Sequence, residues 1–264
     1  MSNNSFKIPK LNMMAVVNEA IRLYKENLWF FIKISFIAFL INLLSNALIV
    51  FQYLLKETTM VLVYKLFLFV MMFPFLYFSI KFSIATYVCI AARYKEKDIS
   101  IKGALNVASE RFWKYVGVNI QFFLVLLVPF AGVIVPFFLV NGIILKWTII
   151  AIFATPLIYL VTVYGFAPLM TVLDKEKKQY FSTSKKLVEG DIWKTIILIL
   201  VVTGVFYIPY YMYIYVFNDY KAILPVNKYV ISTIKQMLFV FITPFTNSVY
   251  VTLFYKLKEN KRIG

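Results

Sequence analysis

Long apolar blocks dominate this chain, each of about twenty residues or more, enough to cross a hydrocarbon layer of roughly 30 Å as a helix. The charges that bound them set six blocks at about 29–55, 60–92, 115–140, 147–172, 195–217 and 235–255. A water-soluble domain would have to bury several all-apolar helices at once. With 62% hydrophobic and 15% charged residues, the composition also departs from that of a soluble globule. The sequence therefore predicts an all-α, polytopic membrane protein with six transmembrane helices.

The boundaries are least sharp over 115–173, where Pro129, Gly132, Pro136 and Gly142 interrupt the apolar run. Two spans turning near 141–147 fit best, with a re-entrant or kinked segment as the alternative. The polar N-terminal stretch carries Lys7 and Lys10 with no apolar run behind it and does not read as a cleavable signal peptide.

Orientation follows from lysine and arginine. The N-terminal segment, the 93–114 and 174–194 loops and the tail from Lys256 hold 20 of them; the loops on the other side hold 6. Basic residues in short loops resist translocation, so both termini and the two larger loops are expected in the cytoplasm, with the protein in the cell membrane. The net charge of +16 is explained by this bias and by attraction to anionic lipid head groups, without invoking nucleic acid.

The two larger loops repeat each other at an offset of eighty residues. Lys95-Glu96-Lys97 matches Lys175-Glu176-Lys177, and Trp113-Lys114 matches Trp193-Lys194. Between these anchors, Ile101, Ala104, Leu105, Ala108 and Phe112 share one helical face, with Phe181, Val188 and Ile192 as the weaker counterpart. Near the N-terminus, Met13, Val17, Ala20, Ile21, Tyr24 and Leu28 form a third apolar stripe, and Trp29 follows it. Interfacial amphipathic helices are therefore expected over about 12–27, 99–113 and 179–192, each preceding a helical hairpin within a single membrane domain spanning 1–264. Trp29, Trp113 and Trp193 then act as interface anchors, their rings in apolar surroundings and their N–H groups among head groups.

Polar groups inside the spans are few. Lys81 lies between Pro74 and Arg93; it either snorkels to an interface or binds an anionic ligand or lipid phosphate. Asn42, Ser45, Asn46 and Gln52 cluster in the first span, and Thr243, Asn247 and Tyr250 share a face of the sixth. Such groups bond between helices or line a substrate path. Lys185 and Lys186, in the second basic loop, are candidates for anionic lipid contact. The crowd of Tyr207, Tyr210, Tyr211, Tyr213 and Tyr215 reads as an aromatic belt.

Catalytic chemistry finds little support. All 12 carboxylates fall in loops or at span edges, histidine is absent, and Cys89 is the single cysteine. These facts remove Ser-His and Cys-His nucleophiles, the usual zinc sites and a buried proton relay. Asp174 with Glu176, or Glu189 with Asp191, could hold magnesium, but each pair sits among lysines. No metal or cofactor is expected, and the chain reads as non-enzymatic. No nucleotide-binding loop is present, so driven transport would require a partner such as an ATPase subunit.

The stretch 167–194, APLMTVLDKEKKQYFSTSKKLVEGDIWK, ends a span in Ala-Pro and continues through an acidic turn to Ser184-Lys185, Leu187, Gly190 and Trp193-Lys194. Pro244 and the run from Leu253 to Lys258 follow near the C-terminus. With the surface helix before the first span, this layout resembles the six-helix membrane domain attached to some bacterial glycerophosphodiester phosphodiesterases, and related stand-alone membrane proteins. In those enzymes catalysis resides in a separate soluble domain. The resemblance thus implies the fold and a lipid connection, and supplies no catalytic residue.

The expected function is to organise partner proteins or lipids at the cytoplasmic face of the membrane. The alternatives are a transporter or exporter subunit for a lipid, peptide or amphipathic substrate, and self-protection against a membrane-active peptide.

Overall fold

The computed structural model describes residues 11–54, 59–174, 179–219 and 225–261, without the side chains of residues 42, 45–54, 59–61, 206–219 and 225–236. It is 91% helical, with no strand among the described residues. The helices are α1 (Met13–Glu26), α2 (Leu28–Leu54), α3 (Thr59–Tyr94), α4 (Ile101–Leu139), α5 (Ile143–Tyr164), α6 (Phe166–Leu173), α7 (Tyr180–Val188), α8 (Ile192–Asp219) and α9 (Pro225–Lys261).

Four stretches are long and apolar enough to cross a membrane: Leu62–Tyr94, Ile101–Leu139, Ile143–Leu173 and Met237–Lys261. In the first of these, 0% of the most apolar window is buried. An apolar surface of that extent belongs in lipid, because water would oppose its exposure at about 25 cal/mol per Å2. These helices mark the chain as a membrane protein. Shorter apolar helices cover Leu28–Ile41 and Ile192–Val205, within α2 and α8.

Several expected boundaries shift, each for a local reason. Interfacial helix 99–113 and span 115–140 are one helix, α4, with no break at Lys114. Ser100 starts it by accepting the Gly103 N–H at 3.1 Å. Beyond that cap, nothing before Pro129 forces the helix to stop. Its expected face is the buried one: Ala104 and Ala108 are fully buried and Phe112 nearly so. The turn expected near 141–147 lies at 140–142, where Gly142 is extended, so Trp147 falls inside α5. The third interfacial helix is shorter than 179–192. After α7, Gly190 takes φ +85°, a left-handed conformation open to glycine, and α8 begins at Ile192.

In α1 the buried stripe is Val16, Ala20 and Leu23, rotated from the expected one, of which Met13, Val17, Ile21 and Tyr24 are only partly buried. The helix is capped by Asn12, whose side-chain oxygen accepts the Ala15 N–H at 3.2 Å.

The chain forms two compact units. The first comprises Met1–Val17, Trp113–Val201 and Thr252–Gly264; the second comprises Asn18–Phe112 and Val202–Val251.

In the first unit, α4 meets α5 at two places. Phe137 meets Trp147 edge-on at 6.0 Å, and Gly132 lies directly against the Phe153 ring. Gly165 breaks α5 from α6, and Pro168 has no N–H to offer the Tyr164 carbonyl. Helix α6 then packs on α7, and its Phe166 meets Phe254 of α9, each only 1% exposed and their rings 6.3 Å apart. Polar contacts close this core: Ser184 donates to the Val163 carbonyl at 2.6 Å, Lys258 pairs with Asp174 at 3.0 Å, and Lys261 donates to the Glu189 carbonyl. Ser184 and Leu187 are fully buried in this core, and Gly190 makes the turn after α7.

In the second unit, α2 packs along α3. Arg93 stacks over the Phe30 ring at 5.0 Å and pairs with Asp98. The end of α1 docks on α9, where Tyr24 donates to the Phe241 carbonyl at 3.0 Å and its ring meets Phe245 edge-on. Burial pushes the Tyr24 phenol above its ordinary pKa, which preserves it as a donor.

Candidate functional site

Within the second unit, α2, α3 and α9 enclose a cleft of about 310 Å3. Each helix contributes one face. Helix α3 supplies Ser79, Phe82, Ser83 and Thr86, spaced at i, i+3, i+4 and i+7 so that all four point the same way. Helix α2 supplies Ser35, Ala38 and Phe39, again one face; α9 supplies Phe239, Val240, Thr243 and Asn247. Small hydroxyl residues facing one another leave the opening that larger apolar side chains would fill. Pro244 adds to it, because it cannot donate to the Val240 carbonyl one turn earlier.

Among the described residues the lining mixes polar and apolar side chains and carries no charge. The Thr86 hydroxyl donates to the Phe82 carbonyl at 2.8 Å and is satisfied within its own helix. Ser35 and Asn247 are each 8% exposed, and neither side chain has a hydrogen-bond partner among the described residues. Asn247 therefore presents an amide, two donors and an acceptor, to the cleft. In a low-dielectric setting an unpaired amide costs about 1–3 kcal/mol, so the cleft favours a polar occupant.

The structure gathers some of the expected residues and separates others. Thr243 and Asn247 both line the cleft. Asn42 and Asn46 belong to α2, but their side chains, like those of Ser45 and Gln52, lie outside the described residues, as do the side chains of the tyrosine cluster from Tyr207 to Tyr215. Lys81 is half-buried on α3 with its ammonium 5.7 Å from the Tyr77 ring centre. It lies about half a helical turn from Ser79, Ser83 and Thr86, and so on the other side of α3. Tyr77 in turn packs on Phe112 at 4.7 Å. Lys81 is thus a cation over the Tyr77 ring, apart from the cleft.

Lys185 and Lys186 are exposed on α7, opposite its buried Ser184, Leu187 and Val188. Trp29, Trp113 and Trp193 are 74%, 78% and 77% exposed. Trp29 and Trp193 sit at the second position of α2 and α8, whereas Trp113 lies within α4. Cys89 is buried. Of the acidic pairs, Asp174 is matched by Lys258 and Asp191 by Lys194; Glu176 lies outside the described residues. No cluster of three or more metal-ligating side chains occurs among the described residues.

The serines and threonine of α3 are residues that the sequence pattern offered and the expected site did not include. Their signal was the spacing Ser79, Ser83, Thr86 within an otherwise bulky apolar span. Ser35 shares its helix face with Asn42 and Asn46, seven and eleven residues further on, and that spacing was the signal that could have found it. No family model, curated protein or solved structure matches this chain.

Proposed function

We propose that this chain is a non-enzymatic, six-span protein of the cell membrane that organises lipids, and through them partner proteins, at its cytoplasmic face. The observation that carries the proposal is the exposure of Trp29, Trp113 and Trp193 together with that of Lys185 and Lys186. Exposed indoles seat in the head-group layer, and exposed lysines attract anionic lipid at about 1 kcal/mol each. The 20-to-6 split of basic residues supports cytoplasmic termini, and α2 and α8, at 27 and 28 residues, are long enough to complete six spans. The resemblance to the membrane domain of glycerophosphodiester phosphodiesterases supports both the three-hairpin plan and a lipid connection.

Replacing Lys185 and Lys186 together with glutamate is expected to weaken capture of phosphatidylglycerol vesicles by the nanodisc-held protein about tenfold at low salt. The effect should vanish at high salt, where surface charges are screened. Unchanged capture at low salt would sink the proposal.

A second reading, a membrane subunit moving a lipid, peptide or other amphipath with a separate ATPase, is favoured by the cleft beside Pro244. On that reading Asn247, rather than Lys81, lies on the substrate path. Self-protection against a membrane-active peptide is a variant of it, tested by whether a deletion strain becomes more sensitive to such peptides.

A further inference from the structure

We infer that the α2–α3–α9 cleft binds an uncharged lipid head group bearing hydroxyl and carbonyl groups on alkyl chains, of the diacylglycerol type. The inference rests on the six-span reading for its depth in the membrane and on the cleft itself for its chemistry.

Three observations converge on that ligand class. Among the described residues the cleft is lined by no charged side chain, and Lys81 lies on the other side of α3 over the Tyr77 ring, so none of them offsets the charge of a phosphate or an ammonium. Its polar groups include the Asn247 amide and the Ser35 hydroxyl, both nine-tenths buried and unpartnered among the described residues. Together they can donate to ester carbonyls and accept from a free hydroxyl. Ala38, Phe39, Phe82, Phe239 and Val240 supply an apolar wall for the first carbons of the chains.

Depth agrees with this assignment. Ser35 and Phe39 follow Trp29 by six and ten residues, or about 9 and 15 Å along α2. If Trp29 marks the head-group layer, the cleft opens just beneath it, where a lipid without a charged head sinks. A cleft of about 310 Å3 suits a glycerol and its two ester groups, leaving the chains to extend into the bilayer.

The test uses the full chain in phosphatidylcholine nanodiscs with trace photoactivatable diacylglycerol, followed by peptide mapping. A photoactivatable phosphatidylglycerol with the same chains is the comparison probe. The neutral probe is expected to label peptides containing 79–86 and 239–247, and unlabelled diacylglycerol should compete it away saturably. Asn247→Leu should reduce that labelling about fivefold, as should the double variant Ser79→Ala/Ser83→Ala. Lys81→Ala should leave it unchanged.

Labelling that is unsaturable, spread over all lipid-facing helices, or stronger with the anionic probe at these peptides would overturn the inference. So would undiminished labelling in both cleft variants. Should Asn247→Leu fail to fold, the serine variant and the competition on the unsubstituted chain decide the matter. Loss of anionic vesicle capture by Lys185→Glu/Lys186→Glu, with cleft labelling intact, separates this site from the basic surface. Unchanged capture with saturable cleft labelling would remove the proposed cytoplasmic role and leave the cleft standing.

Discussion

Replacing Phe254 with alanine is expected to destabilise the first unit by about 3–5 kcal/mol, the cost of emptying a well-packed aromatic site. Phe254 is 1% exposed, packs against the equally buried Phe166, and lies between Leu253 and Leu257, which are also buried. Lys258 and Lys261 tie the same helix to Asp174 and to the Glu189 carbonyl, which opposes a shift of α9 into the space. Thermal inactivation of the detergent-solubilised protein, followed by size-exclusion chromatography, measures the loss. A Phe254→Leu variant should keep more than half of the lost stability. Equal stability of the alanine variant and the parent chain would show that α9 is not seated on α6 as described.

The second large effect is expected where α4 and α5 approach. A Cβ at position 132 would lie 2.2 Å from atoms of the Phe153 ring, including the ring carbon nearest its own backbone. The ring root cannot swing aside as a flexible tip could, so Gly132→Ala must push the helices apart. A cost of about 1–3 kcal/mol follows, as for overpacked cores generally. Adding Phe153→Ala to the same chain should recover most of it, although Phe153→Ala alone destabilises. That opposite behaviour in single and double variants is a coupling measurable by the same thermal assay. Additive losses would place the two residues out of contact.

How much of this was legible beforehand varied with the kind of signal. Apolar length and bounding charges put 29–55 and 60–92 within two residues of the ends of α2 and α3, since helix-forming spans in lipid have few alternatives, whereas α9 begins at Pro225, ten residues before the expected 235. The buried face of 101–112 was legible because Ala104, Ala108 and Phe112 keep strict helical spacing. The continuity of α4 was not, because an amphipathic segment followed by an apolar one resembles two helices whether or not the backbone breaks. Nor was the rotation of α1, whose Val16 and Leu23 are buried by packing that its own pattern does not encode.

The site was half legible. Thr243 and Asn247 declared themselves as polar groups on one face of an apolar helix. Ser35, Ser79 and Ser83 also kept helical spacing with other polar residues, but small hydroxyl residues are common in membrane helices and gain meaning only when three faces meet. Lys81 drew attention as a charge within a span, yet the ring of Tyr77 and the Phe112 packed against that ring account for its position. A charge stands out in a sequence more readily than a cavity does.

On the six-span proposal the basic loops lie in the cytoplasm. Single cysteines placed in a Cys89→Ala background, labelled with a membrane-impermeant maleimide on intact cells and on inside-out vesicles, test this arrangement. Glu57→Cys, Asn141→Cys and Asp219→Cys should react from outside, whereas Lys102→Cys, Lys185→Cys and Glu259→Cys should react only from the cytoplasmic side. Reaction of Lys185→Cys in intact cells, or of Glu57→Cys only in inside-out vesicles, would contradict the account.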